Sequence, residues 1–234
     1  MPKFILGFLL FNALLFNTIY LPDSPLAKKE REKLWPIITK ERAEKGLKAN
    51  SPIYIRIFKL ENQLEIWVKA DNKFELFHTY NICYYSGGLG AKSKDGDGKS
   101  PEGFYQITPT QLNPISKFYL AINIGYPNKL ETAKGYTGSA IMIHGNCVSI
   151  GCYAMTNEGI AQIYTQVYMA LKNGQPKINL DIFPFRMNEQ NMEVYKDDPS
   201  IEFWKTLKKG YDLFNQKLVP TDAEVKDNEY FFKN

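Results

Sequence analysis

The feature that most constrains this chain is a change of period at Pro52. Ile53, Ile55 and Ile57 alternate with Tyr54, Arg56 and Phe58; Leu64, Ile66 and Val68 then alternate with Glu65, Trp67 and Lys69. A repeat of two places alternate side chains on opposite faces of an extended strand, which no helix does. Glu61-Asn62 lies between the runs, so a hairpin is predicted. A third strand is expected from Phe74 to Cys83, after a turn at Ala70-Asp71-Asn72-Lys73. Six glycines follow between Gly87 and Gly103. That density excludes a helix and predicts a long loop entering a strand near Phe104 to Ile107. Long ordered loops usually carry function, so the chemistry is sought beside this one.

At 234 residues and 44% hydrophobic, the chain can bury one core, with room for a small added subdomain. Its net charge of +4 comes from lysines scattered among acids. There is no arginine-rich arm, no stacking motif and no zinc-finger spacing, so no nucleic-acid partner is expected. DGDG does not begin a calcium loop. An EF-hand starting at Asp95 would need an oxygen ligand at its fifth position and glycine at its sixth, where Lys99 and Ser100 stand. GGLG is followed by no helix and is not a dinucleotide site. No metal or cofactor is expected.

Four regions are expected. Residues 1–25 begin MPKFILGFLLF, a positive start and an apolar run from Phe4 to Phe16, which reads as a signal peptide or N-terminal anchor. Residues 26–50 read as a polar helical linker, broken or bent near Pro36 and ending at Gly46. The main β domain occupies 51–185, including a strand from Ser139 to His144, a helix capped by Thr156 and ending at Gly174, and a strand from Lys177 to Phe183. Residues 186–234 form a C-terminal helical extension and polar tail. A polar helix is expected near Asn188 to Lys196. Ser200 is the expected cap of a last helix, with Phe203, Trp204, Leu207, Tyr211 and Phe214 on one packing stripe. The final fifteen residues are expected to be loosely held.

Residues 143–156 read IHGNCVSIGCYAMT and hold one of only two histidines, the other being His78. Four readings fit. The first is a strand–turn–strand with a satisfied histidine and buried thiols. The second is a zinc site of His144, Cys83, Cys147 and Cys152, although no Cys-x₂-Cys pair exists. The third, a papain-like protease, has the wrong order, because its cysteine should precede its histidine. The fourth is acyl transfer by a cysteine. A thiolate attacks a carbonyl, an imidazole takes the thiol proton, and backbone N–H groups receive the oxyanion. Gly151 allows close approach of the backbone, and a helix opening at Thr156 adds potential favouring thiolate. Three cysteines admit a Cys83–Cys147 disulfide with Cys152 free, or three reduced thiols.

His-Gly followed by Ser-x-Gly-Cys, behind a β domain with Ser-Pro-Glu-Gly-x-Tyr, resembles the YkuD-type L,D-transpeptidases. The stretches SPIYIRIFK, ICYYSGGLG, GDGKSPEGFY, MIHGNCVSIGCYAMTN and GQPKINLDIFPFRM carry the likeness. They are closer still to a branch that releases an outer-membrane lipoprotein from peptidoglycan. The resemblance implies a mainly β (α+β) fold, a YkuD catalytic β-barrel or sandwich domain with C-terminal helices. It implies peptidoglycan stem peptides as substrate, with that lipoprotein as a further substrate, in the periplasm of a Gram-negative bacterium. It makes Cys152 the nucleophile, His144 the base, the Gly145 carbonyl its orienter, and the Gly151 and Cys152 N–H groups the oxyanion hole. Ser149, Tyr153, Arg186 and Lys99 are candidate substrate contacts, Arg186 as the cation missing elsewhere. Two positions depart from the usual family pattern: Ile150 stands where a second histidine is common, and Ala154 where arginine is usual.

Overall fold

The computed structural model describes residues 20–232. The apolar N-terminal run expected as a signal or anchor lies almost wholly outside them. Strands β1 (Ile53–Phe58), β2 (Gln63–Ala70) and β3 (Lys73–Asn81) form the expected meander. They continue into β9 (Ile178–Phe183) and β4 (Gly103–Ile107), giving a five-stranded sheet in the order β3-β2-β1-β9-β4. β1 and β9 are parallel, and the other pairs are antiparallel. A second sheet contains β5 (Leu112–Asn113), β6 (Ala121–Asn123), β7 (Met142–His144) and β8 (Tyr153–Ala154) in that order. The architecture is α+β with mixed sheets.

Every residue of β1 is buried, so its alternation separates two cores rather than a core from water. Ile53, Ile55 and Ile57 join Leu64, Ile66 and Val68 in the main core, beneath Ile160, Ile163 and Val167 of α3 (Asn157–Lys172). Each such side chain contributes about 1.5–3 kcal/mol on burial. On the opposite face, Phe58 packs with Phe183, Trp204, Leu207 and Tyr211, the last three from α5 (Ile201–Lys217). The aromatic stripe of α5 is therefore packing, as its spacing predicts.

Three expectations are corrected. The helix α1 (Pro25–Glu44) runs through Pro36 as one element and packs against α3. It is no free linker: Ala27, Ile38 and Arg42 are buried, and Arg42 bonds Ala49 O at 2.8 Å and Gln166 Oε1 at 3.0 Å. Ser200 has helical torsions and makes no side-chain cap on α5. The tail expected to be loose forms a hairpin, β10 (Ala223–Lys226) with β11 (Glu229–Phe232). Its Tyr230 is buried edge-on against Phe104, at 4.9 Å between ring centres. Two short helices, α2 (Lys129–Ala133) and α4 (Glu189–Val194), complete the fold.

Candidate active site

β7 and β8 are parallel neighbours joined only by residues 145–152. A parallel crossover ordinarily takes about a dozen residues, so this connection has to turn tightly. Asn146 and Cys147 both adopt left-handed torsions, with φ of +68° and +50°, and Gly151 has φ +149°. Gly145 has no room for a side chain, since a Cβ there would lie 2.5 Å from Asn157 Oδ1 and 2.9 Å from Phe118 O. Asn157, the first residue of α3, steadies the turn by accepting the Asn146 N–H at 3.0 Å. Thr156 caps that helix as predicted, its Oγ1 accepting from Gly159 N at 3.0 Å.

The register pairs Ile143 with Tyr153 and His144 with Ala154. Cys152 immediately precedes β8, and its contact with the Met142 N–H sets it beside β7, the strand that ends in His144. His144 is buried, and its Nδ1 lies 2.6 Å from Gly145 O. A carbonyl only accepts, so Nδ1 carries the proton and Nε2 keeps its lone pair. The ring also packs at a tilt against Phe118, centres 4.5 Å apart. Burial lowers the His144 pKa, and the bond to Gly145 O offsets only part of that. The imidazole is therefore neutral at neutral pH.

Cys83 and Cys147 form a disulfide and Cys152 is the free cysteine. The disulfide removes two of the four ligands required by the zinc reading. Cys152 Sγ accepts from Met142 N–H at 3.4 Å and lies 3.8 Å from Ala140 O. Burial pushes its thiol pKa up, with Met142 N–H and the Lys92 charge pulling the other way. Whatever the start of α3 adds, burial is the largest influence and the net direction is upward. The resting pair is a neutral thiol beside a neutral base.

The glycine-rich loop forms the opposite wall. Asp97 accepts from Lys92 Nζ at 2.6 Å and from the N–H groups of Ser93, Lys94 and Lys99. Burial raises the Asp97 pKa, but these donors outweigh it and hold the carboxyl well below the usual range. Lys99 O comes 3.6 Å from the place a Cβ on Gly151 would occupy, so the loop touches the turn that carries Cys152.

The other candidate residues separate. The Gly151 N–H, expected in an oxyanion hole, donates to Ser149 Oγ at 3.1 Å. Ser149 Oγ in turn donates to Cys152 O at 2.7 Å, so Ser149 shapes the turn instead of offering its hydroxyl outward. Tyr153 is wholly buried, with its hydroxyl donating to Pro101 O; it is core and not a substrate contact. Arg186 donates through Nη2 to Glu65 Oε1 and Gln63 Oε1, both at 2.7 Å. Ala154 is itself 0% exposed, whereas Ile150 is 94% exposed. Lys99 meets the Cys152 turn through its main-chain oxygen, while its ammonium lies by Gly90. Sequence reading missed Asn157, Ser100 and the buried Lys59–Glu102 pair. Glu102 lies in the Pro-Glu-Gly stretch, but no local pattern joins it to a lysine 43 residues away. A cleft of about 580 Å3 near β4, β9 and β10 is lined by Asn128, Asn179, Asp222 and others, none from residues 143–156.

Residues 53–180 match the family model of YkuD, the L,D-transpeptidase catalytic domain. The chain belongs to the YkuD family. The chain is 51% identical over 180 residues to YafK of Escherichia coli (strain K12), itself classed with the L,D-transpeptidases, covering 77% of this chain and 73% of that protein. The same identity and coverage hold for YafK of Escherichia coli O157:H7. Among solved structures it is similar to the helical cell shape determining protein Pgp2 of Campylobacter jejuni, with TM-score 0.45, 18% identity, and 84% and 80% of the two chains covered. Bd1075 of Bdellovibrio bacteriovorus follows at TM-score 0.40 and 21% identity, with 73% and 62% covered. Family membership makes this an L,D-transpeptidase-type enzyme domain, a family that acts on peptidoglycan stem peptides.

Proposed function

We propose that this YkuD domain is a cysteine acyl-transfer enzyme that hydrolyses an amide at the L-centre carbonyl of meso-diaminopimelate in the stem peptide. The observation that carries this reading is the His144 Nδ1 bond to Gly145 O, on the strand whose Met142 N–H meets the one free thiol. Cys152 Sγ attacks the carbonyl carbon as its proton passes to His144 Nε2, forming a C–S bond and an oxyanion. The Cys152 N–H serves the oxyanion, joined by Gly151 N–H once Ser149 Oγ releases it. Collapse breaks the C–N bond, and the imidazolium proton leaves with the amine. Water then cleaves the thioester, with His144 again accepting a proton, which returns to sulfur.

The leaving amine is proposed to be a lysine side chain of an attached lipoprotein. The site's apolar rim supports a polypeptide there: Tyr84, Phe118, Val148 and Ile150 are exposed around His144 and Cys152. Exposed apolar groups gathered near one site are the kind of surface that binds a polypeptide. The Cys83–Cys147 disulfide supports an oxidising compartment, so we place the enzyme in the periplasm of a Gram-negative bacterium, secreted or anchored by its N-terminal segment. Mass analysis after incubation with tetrapeptide muropeptides, with and without excess amine, beside lipoprotein-linked sacculi, tests the reading. Freed lipoprotein fragment is expected. Dominant cross-linked dimers would mean transpeptidation, and released D-alanine an L,D-carboxypeptidase. A Cys152 thiol no more reactive than a model thiol, with no product, would leave a wall-binding scaffold.

A further inference from the structure

A buried ion pair lies behind the site and is not itself part of the chemistry. Lys59 and Glu102 are both 0% exposed, with Nζ and Oε1 2.8 Å apart. Lys59 Nζ also donates to Gly90 O at 3.2 Å and to Ser100 O at 2.9 Å. Glu102 Oε1 accepts Gly90 N–H at 2.7 Å, and its Oε2 accepts Trp204 Nε1 at 2.8 Å. The pair therefore clips both ends of the glycine-rich loop, at Gly90 and Ser100, and ties them to α5. Ser100 continues the connection. Its Oγ accepts Ser86 N–H at 3.1 Å and donates to Cys152 O at 3.3 Å, while its N–H donates to Ser86 O. The Cys152 carbonyl is thus held by two hydroxyls from opposite walls, Ser149 and Ser100.

A bare surface ion pair would be dispensable, and a stability device would have no reason to end on the nucleophile's carbonyl. We propose that Lys59, Glu102 and Ser100 are positioning residues for Cys152: the buried pair fixes Ser100, and Ser100 fixes the peptide unit that aims the sulfur at Met142 N–H. This rests on Cys152 as nucleophile. A donor held against sulfur favours the charged form, so loosening the peptide unit withdraws that help.

The test reads sulfur directly, by iodoacetamide alkylation of Cys152 across pH in the full chain. Ser100→Ala is expected to raise the midpoint by about half a pH unit or more. It should also lower kcat on stem peptides about tenfold, with KM within about twofold. Because a lone buried charge threatens folding, the pair is tested as Lys59→Met with Glu102→Gln, which leaves no unpaired ion. The same midpoint shift is expected. Phe214→Leu, in the distant cluster with Tyr54, lowers stability without touching this network and should leave the midpoint unchanged. Wild-type midpoints in both Ser100→Ala and the double variant, or an equal shift in Phe214→Leu, would overturn the proposal. Alkylation uses no substrate, so a shift seen in a chain that turns over no stem peptide would fault the proposed substrate and not the positioning role.

Discussion

The turn from Gly145 to Cys152 and the glycine-rich segment from Gly87 to Ser100 flank the same sulfur, yet they are held by different forces. The first is fixed by covalent and backbone means: the Cys83–Cys147 bond, two left-handed residues, and β8 on its far side. The second is fixed by charge: Asp97 gathers one ammonium and three backbone N–H groups, and Lys59 with Glu102 clips its ends. A short parallel crossover leaves few conformations, so a cross-link and tight torsions complete it. A long glycine-rich loop loses more entropy on ordering and is held by many bonds to buried ions. The turn carries the thiol, while the loop supplies a wall and a hydroxyl.

The largest expected effect breaks the turn's chemistry. Cys152→Ala or His144→Ala should each lower turnover at least about 1000-fold in the muropeptide assay, with the double variant little worse than either single. Wild-type activity in Cys152→Ala would remove the turn from the mechanism altogether. The same assay against pH gives the acid limb. The base must be neutral, and burial puts its pKa below the ordinary 6.5, so activity should rise with a midpoint below 6.5.

Stability effects come next and compare the two fastenings. Lys59→Met alone strands Glu102 in the interior and should cost about 3–5 kcal/mol in urea unfolding. Cys83→Ser with Cys147→Ser opens a 64-residue loop and should cost about 4 kcal/mol, while Cys152 keeps its chemistry. Reductant should destabilise the wild type by a similar amount and leave that double variant unaffected. Three titratable thiols in the denatured, unreduced chain would show that no cross-link holds the turn.

Asp97→Asn should have a smaller, pH-dependent effect. The folded Asp97 pKa is depressed, so its contribution is present above the unfolded value near 3.8 and lost as pH falls through the folded pKa. Melting of the two proteins should differ at pH 7 and converge on acidification below 3.8. A constant gap would mean that the loop is not held by this carboxylate. Ile150→Ser should change stability least, within about 0.5 kcal/mol. It should raise KM several-fold for lipoprotein-linked substrate and leave the free tetrapeptide untouched. An equal change for both would detach the exposed apolar rim from polypeptide recognition.

Where the pattern was local, the sequence was sufficient. Alternation over 53–58 and 64–69 specified two strands, glycine density specified the loop, Thr156 specified the start of α3, and the spaced aromatics of 203–214 specified a packed helix face. The residues around His144 and Cys152 left four readings open, and the resemblance of His-Gly and Ser-x-Gly-Cys to the YkuD family singled out this pair. The misreadings share a cause. Polar residues 26–50 looked like a linker, yet Arg42 finds its oxygens on Ala49 and Gln166 and can be buried. Ser200 looked like a cap but makes no side-chain cap bond, and Tyr153 looked like a substrate contact until Pro101 met its hydroxyl.

By itself the sequence determined the period of each element and the chemical types available at the turn, because both depend on residues a few positions apart. The tertiary structure decided which polar groups are spent on the protein itself. It paired Lys59 with Glu102, closed Cys83 onto Cys147, set Ser100 and Ser149 on the Cys152 carbonyl, and left Cys152 as the free thiol. Burial makes an unpaired charge or hydrogen-bonding group costly. Each partner is therefore selected by the whole packed chain, across separations that carry no signal in the order of residues.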